Sequence, residues 1–179
     1  MTGAPPRLGA LVEFYLPLLV LAGDYARALQ PAVSGPGPKA GPNAWAQALT
    51  DADQGVQAFL EVATRGVDPG LAFYGEEQAT SRNARYFPAT AARKVWVDPI
   101  NGTYLYQNQR DTWDIILSIT EHDELAAVIS YQPARGRFNL ALRGHGALTG
   151  DRQCRRLADC VPLVTRSGSN TCLTYRAPA

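Results

Sequence analysis

Trp96-Val97-Asp98-Pro99-Ile100-Asn101-Gly102-Thr103 is the stretch from which the rest of this chain is read. Lys94 to Val97 is a run of β-forming character, so it predicts a strand. Pro99 has no N–H to give to a strand ladder, and Asn101-Gly102 is a tight-turn pair. The strand therefore ends in a turn that carries a carboxylate, Asp98, at its entrance.

Working outward, apolar and polar residues alternate toward a period of two after Gly66. Leu71-Ala72-Phe73-Tyr74, Thr112 to Thr120, Ala126 to Gln132 and Arg137 to Arg143 read as further strands. Glu121-His122-Asp123-Glu124 and Pro133 to Gly136 have the composition of hairpin turns between them. Upstream the period lengthens. Leu11, Tyr15, Leu18, Leu19, Ala22, Tyr25, Ala26 and Leu29 recur at spacings of three and four and predict a helix over Leu8 to Leu29, with Pro17 as a point of kinking or restart. Pro31 to Pro42 is a Pro/Gly loop. Thr50 and Asp51 then offer caps to a second helix, whose buried stripe is Val56, Phe59, Leu60 and Ala63, ending at Gly66. Two helices followed by hairpin-linked strands define an α+β fold, with two N-terminal helices packed on one face of a mostly antiparallel sheet.

A chain of 179 residues, 46% apolar, buries one core and divides into a domain over residues 1–158 and a tail over 159–179. Seventeen Lys and Arg oppose sixteen Asp and Glu, a net charge of +1, with no long block of one sign. Nucleic acid and anionic membranes are therefore excluded as expected partners. The apolar run Leu16 to Ala22 is too short to span a bilayer, and Glu13 interrupts the apolar region a secretory signal would need. Cys154, Cys160 and Cys172 lack zinc or redox-dithiol spacing and read as reduced thiols. These features together predict a cytoplasmic protein.

Four segments place acidic or turn-forming residues where elements begin or end: Leu49-Thr50-Asp51-Ala52-Asp53, Tyr74-Gly75-Glu76-Glu77, Asp98 to Thr103, and Gly144-His145-Gly146-Ala147. Carboxylates gathered at such ends suit hard divalent cations, which take oxygen ligands and keep positions for water and phosphate. Solvated acidic turns have the same composition, and it is the order of the motifs that distinguishes the two. Thr50-x-x-Asp53, Gly75-Glu76-Glu77 and Asp98-Pro99-Ile100-x-Gly102-Thr103 follow one another as they do in the inositol monophosphatase family, which the chain resembles from about Leu8 to Gly150. The hairpin after Ile116, Tyr131-x-Pro133-Ala134 and Arg143-Gly144-x-Gly146-Ala147 add to the likeness.

The resemblance implies the first half of a layered αβαβα sugar-phosphatase fold. It also implies a magnesium-dependent phosphomonoesterase that hydrolyses a small phosphate ester, of the inositol phosphate or nucleotide bisphosphate class, by metal-activated water. Glu76, Asp98 and the main-chain carbonyl of Ile100 would hold the first Mg2+. Thr103, assisted by Asp53, would orient and help deprotonate the attacking water. Gly102 and Thr103 would offer backbone N–H groups to the phosphate, and Glu77 would stand behind the ligands or be structural rather than bind the cation directly.

Two departures stand against the family pattern. Asn101 occupies the place of a family aspartate that binds the second cation, which weakens the second site because an amide oxygen brings no charge. The family also continues into a second α/β half with a Trp-Asp motif that supplies another ligand, whereas Trp113-Asp114 comes too early in the order. The rival expectation is therefore a truncated, catalytically impaired homologue that serves as a metal-binding or assembly module, with a homo-oligomer or a complementing C-terminal half as its partner. The Asn101-Gly102 bond is of the type prone to deamidation, which would restore the family aspartate. Asn101-Gly102-Thr103 also matches a glycosylation acceptor, an accidental match in a cytoplasmic chain.

No Gly-x-Ser-x-Gly elbow exists to make a serine hydrolase, and His122 and His145 read as surface residues. Lys39 lies in a Gly-rich run without P-loop spacing, and Arg152, Arg155 and Arg156 read as a solvated basic face.

Overall fold

Spacings of three and four bring one side of helix α1 (Leu8–Leu29) into the core, with Leu11, Tyr15, Leu16, Leu19 and Ala26 fully buried. In the computed structural model, which describes residues 6–33 and 50–164, this helix runs unbroken through Pro17. The proline removes one backbone hydrogen bond, but buried side chains on both sides of it hold the helix against its neighbours. The segment Leu8–Ala32 has a mean hydropathy of 1.4 and is long and apolar enough to cross a membrane by length and composition. Its apolar reach is thus greater than Leu16 to Ala22 alone suggests. It packs on α2 and β4 through its buried residues, as the core helix of a folded domain does. Most of the Pro/Gly loop, Lys39, Leu49 and Cys172 lie outside the described residues.

Helix α2 (Asp51–Val67) starts at a capping box: Thr50 accepts from the backbone of Ala52 and Asp53, and Asp53 accepts from the backbone of Thr50. Its buried face is Ala52, Asp53, Val56, Gln57, Leu60, Glu61 and Thr64. That corrects the expected stripe, because Phe59 is 38% exposed and Ala63 only half-buried. Polar side chains at Asp53, Gln57, Glu61 and Thr64 turn inward because each finds a hydrogen-bond partner there, Thr64 with the Tyr15 hydroxyl at 2.8 Å among them.

The strands β1 (Ala72–Gly75), β2 (Arg93–Asn101), β3 (Asp114–Glu121), β4 (Glu124–Gln132), β5 (Arg137–Leu142), β6 (Gly146–Asp151) and β7 (Val161–Pro162) form one sheet in chain order. Among the described residues only β1 and β2 are parallel. A five-residue helix, α3 (Thr103–Gln107), lies between β2 and β3. Strands β6 and β7 were not among the expected strands, and β7 keeps the chain in the sheet beyond residue 158. Between β3 and β4 the turn needs only His122 and Asp123, both at positive φ, which matches a two-residue hairpin.

Strict alternation decides which face is covered. Ile115, Leu117, Ile119, Ile129, Tyr131, Phe138 and Leu140 point to the helices and are at most 3% exposed. The opposite face carries Lys94, Trp96, Ile116, Ser118 and Val128, with Trp96 stacked on Tyr74 at 4.4 Å. The architecture is the expected helices on one face of a mostly antiparallel α+β sheet.

Candidate active site

Pro99 breaks the pairing of β2 with β3. Asp98 pairs with Ile116 and Asn101 with Asp114, and the register shifts between them. The residue after the proline, Ile100, therefore has a carbonyl outside the ladder, and the Thr103 hydroxyl lies 2.9 Å from it. Gly102 makes this turn at φ 98°, a conformation costly for a residue with a Cβ, and delivers Thr103 to the first position of α3.

Thr103 Oγ1 is also 3.1 Å from Asp53 Oδ1, the carboxylate at the start of α2. Asp53 is fully buried, and its other oxygen accepts from the Thr50 hydroxyl at 2.6 Å and the Thr50 N–H at 2.8 Å. Burial raises the Asp53 carboxyl to about 6, against the lowering effect of these hydrogen bonds. Such a group changes protonation near neutral pH, as a proton acceptor in hydrolysis must.

Glu76 follows β1, and its N–H bonds to the Val97 carbonyl at 2.9 Å, which sets it beside Asp98. The two side chains are hydrogen-bonded, and burial, then the Glu76 charge, push the Asp98 carboxyl up to about 8. Two carboxylates in such contact share a proton unless a cation lies between them. Asp98 Oδ1 is buried with no hydrogen-bond partner. An orphaned carboxylate oxygen beside a second carboxylate and a carbonyl outside the ladder fits a hard divalent cation. Among the described residues no three His, Cys, Asp or Glu side chains converge as a ready metal cage. A cation would therefore rest on Glu76, Asp98 and the Ile100 carbonyl, with water or phosphate completing its shell, the usual habit of Mg2+.

Sequence reasoning passed over the polar chain that holds this geometry. Gln57 Oε1 accepts from the Glu77 N–H at 2.9 Å, Gln57 Nε2 donates to Glu61 at 2.9 Å, and Asn83 donates to Glu61 at 2.8 Å. The chain ties the Glu76-Glu77 segment to α2, and Glu77 is buried there. Asp53, Gln57 and Glu61 are spaced by four, so their common helix face was readable, but a stripe drawn through apolar residues alone misses it. Asp114 was also missed as a site neighbour. It accepts from the Asn101 amide at 2.8 Å and from the Ser130 hydroxyl.

The structure separates the fourth expected segment from the others. Gly144 to Ala147 runs from the β5–β6 turn into the start of β6, at the end of the sheet marked by Arg93 and Glu121 and opposite to that of Asp98 and Asn101. His122 and His145 are exposed. Arg152 pairs with Asp24 at 2.7 Å on the surface. Cys154 and Cys160 are free thiols, and burial pushes Cys160 up to about 12.

Three solved structures with this fold are an IMPase from Thermotoga maritima, the extragenic suppressor protein SuhB from Bartonella henselae, and SaIMPase-II with inositol monophosphate bound. The first has a TM-score of 0.67 at 21% identity over 78% of this chain and 51% of its own. The second scores 0.69 at 20% identity over 81% and 54%. The third scores 0.58 at 20% identity over 77% and 46%. The chain thus spans about half the length of these relatives. Among curated protein sequences nothing matches it. The sequence model of the inositol monophosphatase family matches residues 25–177, and the chain belongs to that family.

Proposed function

We propose that this chain forms the metal- and phosphate-binding part of a magnesium-dependent phosphomonoesterase, acting on a small ester of the inositol phosphate or nucleotide bisphosphate class. The observation that carries the reading is the buried, unpartnered Oδ1 of Asp98 beside Glu76. Family membership and the inositol monophosphate bound in SaIMPase-II support the substrate class. A bound Mg2+ would supply charge to polarise the phosphate and acidify water.

The protein's own groups do the rest. Ionised Asp53 accepts the Thr103 hydroxyl hydrogen at Oδ1, which leaves a lone pair on Thr103 Oγ1 to take a hydrogen from the attacking water. Thr50 holds Asp53 from behind through two hydrogen bonds, so the acceptor cannot turn away. The Gly102 turn presents backbone N–H groups to the phosphate oxygens. A cytoplasmic location agrees with the even charge and free thiols.

Magnesium-dependent release of phosphate from inositol 1-phosphate or adenosine bisphosphate, lost in Asp98→Ala, is the expected result. Calorimetry that detects no Mg2+ binding would remove the reading. A second reading, a metal-binding or assembly module with impaired catalysis, rests on Asn101 in place of a carboxylate. Mg2+ binding without phosphate release from either ester would favour it.

A further inference from the structure

Gly150 lies inside β6, paired with Phe138, where no left-handed turn calls for a glycine. A Cβ added there would stand 2.5 Å from the Cys154 sulfur and 3.0 Å from the Cys160 sulfur. The absent side chain thus leaves the space in which two thiols converge. An extended chain would hold residues with this separation about 20 Å apart, so their meeting is the work of the loop between them.

The connection from β6 to β7 folds back on itself. The Cys154 N–H bonds to the Asp151 carbonyl at 3.1 Å, and the Asp159 carboxylate accepts from the N–H groups of Arg155 and Arg156, both at 2.9 Å. A single 3-10 turn, Leu157–Asp159, then delivers Cys160 to the start of β7. That turn is anchored on α1, because the Leu157 N–H bonds to the Glu13 carboxylate at 2.8 Å. Both cysteines are free thiols; Cys154 is 4% exposed and Cys160 half-buried, so a water-sized reagent reaches the pair from the Cys160 side.

We propose that Cys154 and Cys160 form a reversible disulfide, which makes the β6–β7 connection a site of oxidative modification by hydroperoxides. The inference does not depend on the phosphatase reading, since β3, β4 and β5 separate this loop from β2. Burial, then the nearness of Cys154, push the Cys160 thiol up to about 12, so it keeps its proton at neutral pH and enters in the second step. With hydrogen peroxide, the Cys154 sulfur first becomes a sulfenic acid: an S–O bond forms, the O–O bond breaks, and the other oxygen leaves as water with the thiol proton. Cys160 then attacks that sulfur. The S–S bond forms, the S–O bond breaks, and the hydroxyl leaves as water with the Cys160 proton. Two electrons pass from the two sulfurs to the peroxide, and a dithiol returns them by exchange. The bridge closes the loop over residues 154–160 and so fixes the entry to β7, the edge strand, against α1.

The test is to treat the whole folded chain with hydrogen peroxide, count its thiols after denaturation, and map its peptides without reduction. Of the three thiols two should be lost, and both should return with dithiothreitol. Trypsin cuts after Arg155 and Arg156, between the two cysteines, so the bridge appears as a linked pair of peptides that reduction separates. Cys172→Ser should give the same linked pair, and closing the bridge should raise its Tm by roughly 5 °C. Gly150→Ala, which sets a methyl group where the sulfurs meet, should slow bridge formation about tenfold. In urea, where the loop is undone, bridges to Cys172 should form as well. Bridges to Cys172 or between chains as the main products of the folded protein overturn the inference. So does sulfinic acid without a linked pair, or a chain that keeps all three thiols.

Discussion

Thr103 Oγ1 lies 3.1 Å from Asp53 Oδ1 and 2.9 Å from the Ile100 carbonyl oxygen, yet the threonine has a single hydroxyl hydrogen to give. When Asp53 is protonated it donates to Thr103, which donates onward to Ile100. When Asp53 is ionised the two acceptors compete, and the charged one takes the hydrogen. Ionisation of a residue on α2 therefore decides whether the carbonyl of Ile100 is engaged or open.

Removing that switch should lower turnover far more than substrate binding. Thr103→Val and Asp53→Asn are each expected to reduce kcat for phosphate release by roughly a hundredfold or more, the usual worth of a positioned acid–base group. Thr103→Ser keeps the hydroxyl and should retain most of it. Equal activity in Thr103→Val and Thr103→Ser would show that the hydroxyl takes no part.

In metal-free buffer, stability should fall as the pH rises. Burial raises the Asp53 carboxyl from 3.8 to about 6 and the Asp98 carboxyl from 3.8 to about 8. Both favour the folded state when protonated, so their contribution is full below the unfolded value and is lost as pH climbs through 6 and then 8. For Asp53 the change is about 3 kcal/mol. Thermal melts in EDTA should show the decline, Asp98→Asn should flatten its upper part, and Mg2+ should raise Tm more at pH 8 than at pH 5.

Gly75 allows the side chain of Gln57 to lie against the backbone, with Gln57 Oε1 2.1 Å from where a Cβ would stand. Gly75→Ala should displace Gln57 and loosen the Glu77 segment, at a cost of about 2 kcal/mol in urea unfolding. In a Gln57→Ala background the same substitution should cost much less. Equal costs in both would mean that Gln57 is not what the new methyl strikes.

At Gly102 the penalty has another origin. The nearest atom to an added Cβ is the Thr112 carbonyl oxygen at 3.5 Å, so there is room, but φ is 98°. Gly102→Ala is expected to cost about 1–2 kcal/mol from backbone strain alone. Gly102→Asn should cost less than Gly102→Val, since asparagine tolerates left-handed conformations and β-branched residues do not.

Deamidation of Asn101 should be slow in the folded protein, because the strand and the bond to Asp114 hold its amide. Peptide mass spectrometry is expected to find conversion faster in Asp114→Ala than in wild type. Conversion at the same rate in both would show that Asp114 gives no such protection.

The sequence by itself determined the principal elements and the motif residues. Period and capping are local properties, so α1, the Thr50 start of α2, the five principal strands and the His122-Asp123 hairpin could be read directly, and so could the family from its three ordered motifs. Tertiary structure alone decided what those residues meet. The inward turn of Gln57 and Glu61 depends on partners in the Glu77 and Asn83 segment, and the Asn101–Asp114 contact depends on how β2 resumes its register after Pro99. Spacing along one element states which side chains share a face. Which face meets which partner follows from burial and strand register, and these exist only once distant segments have packed.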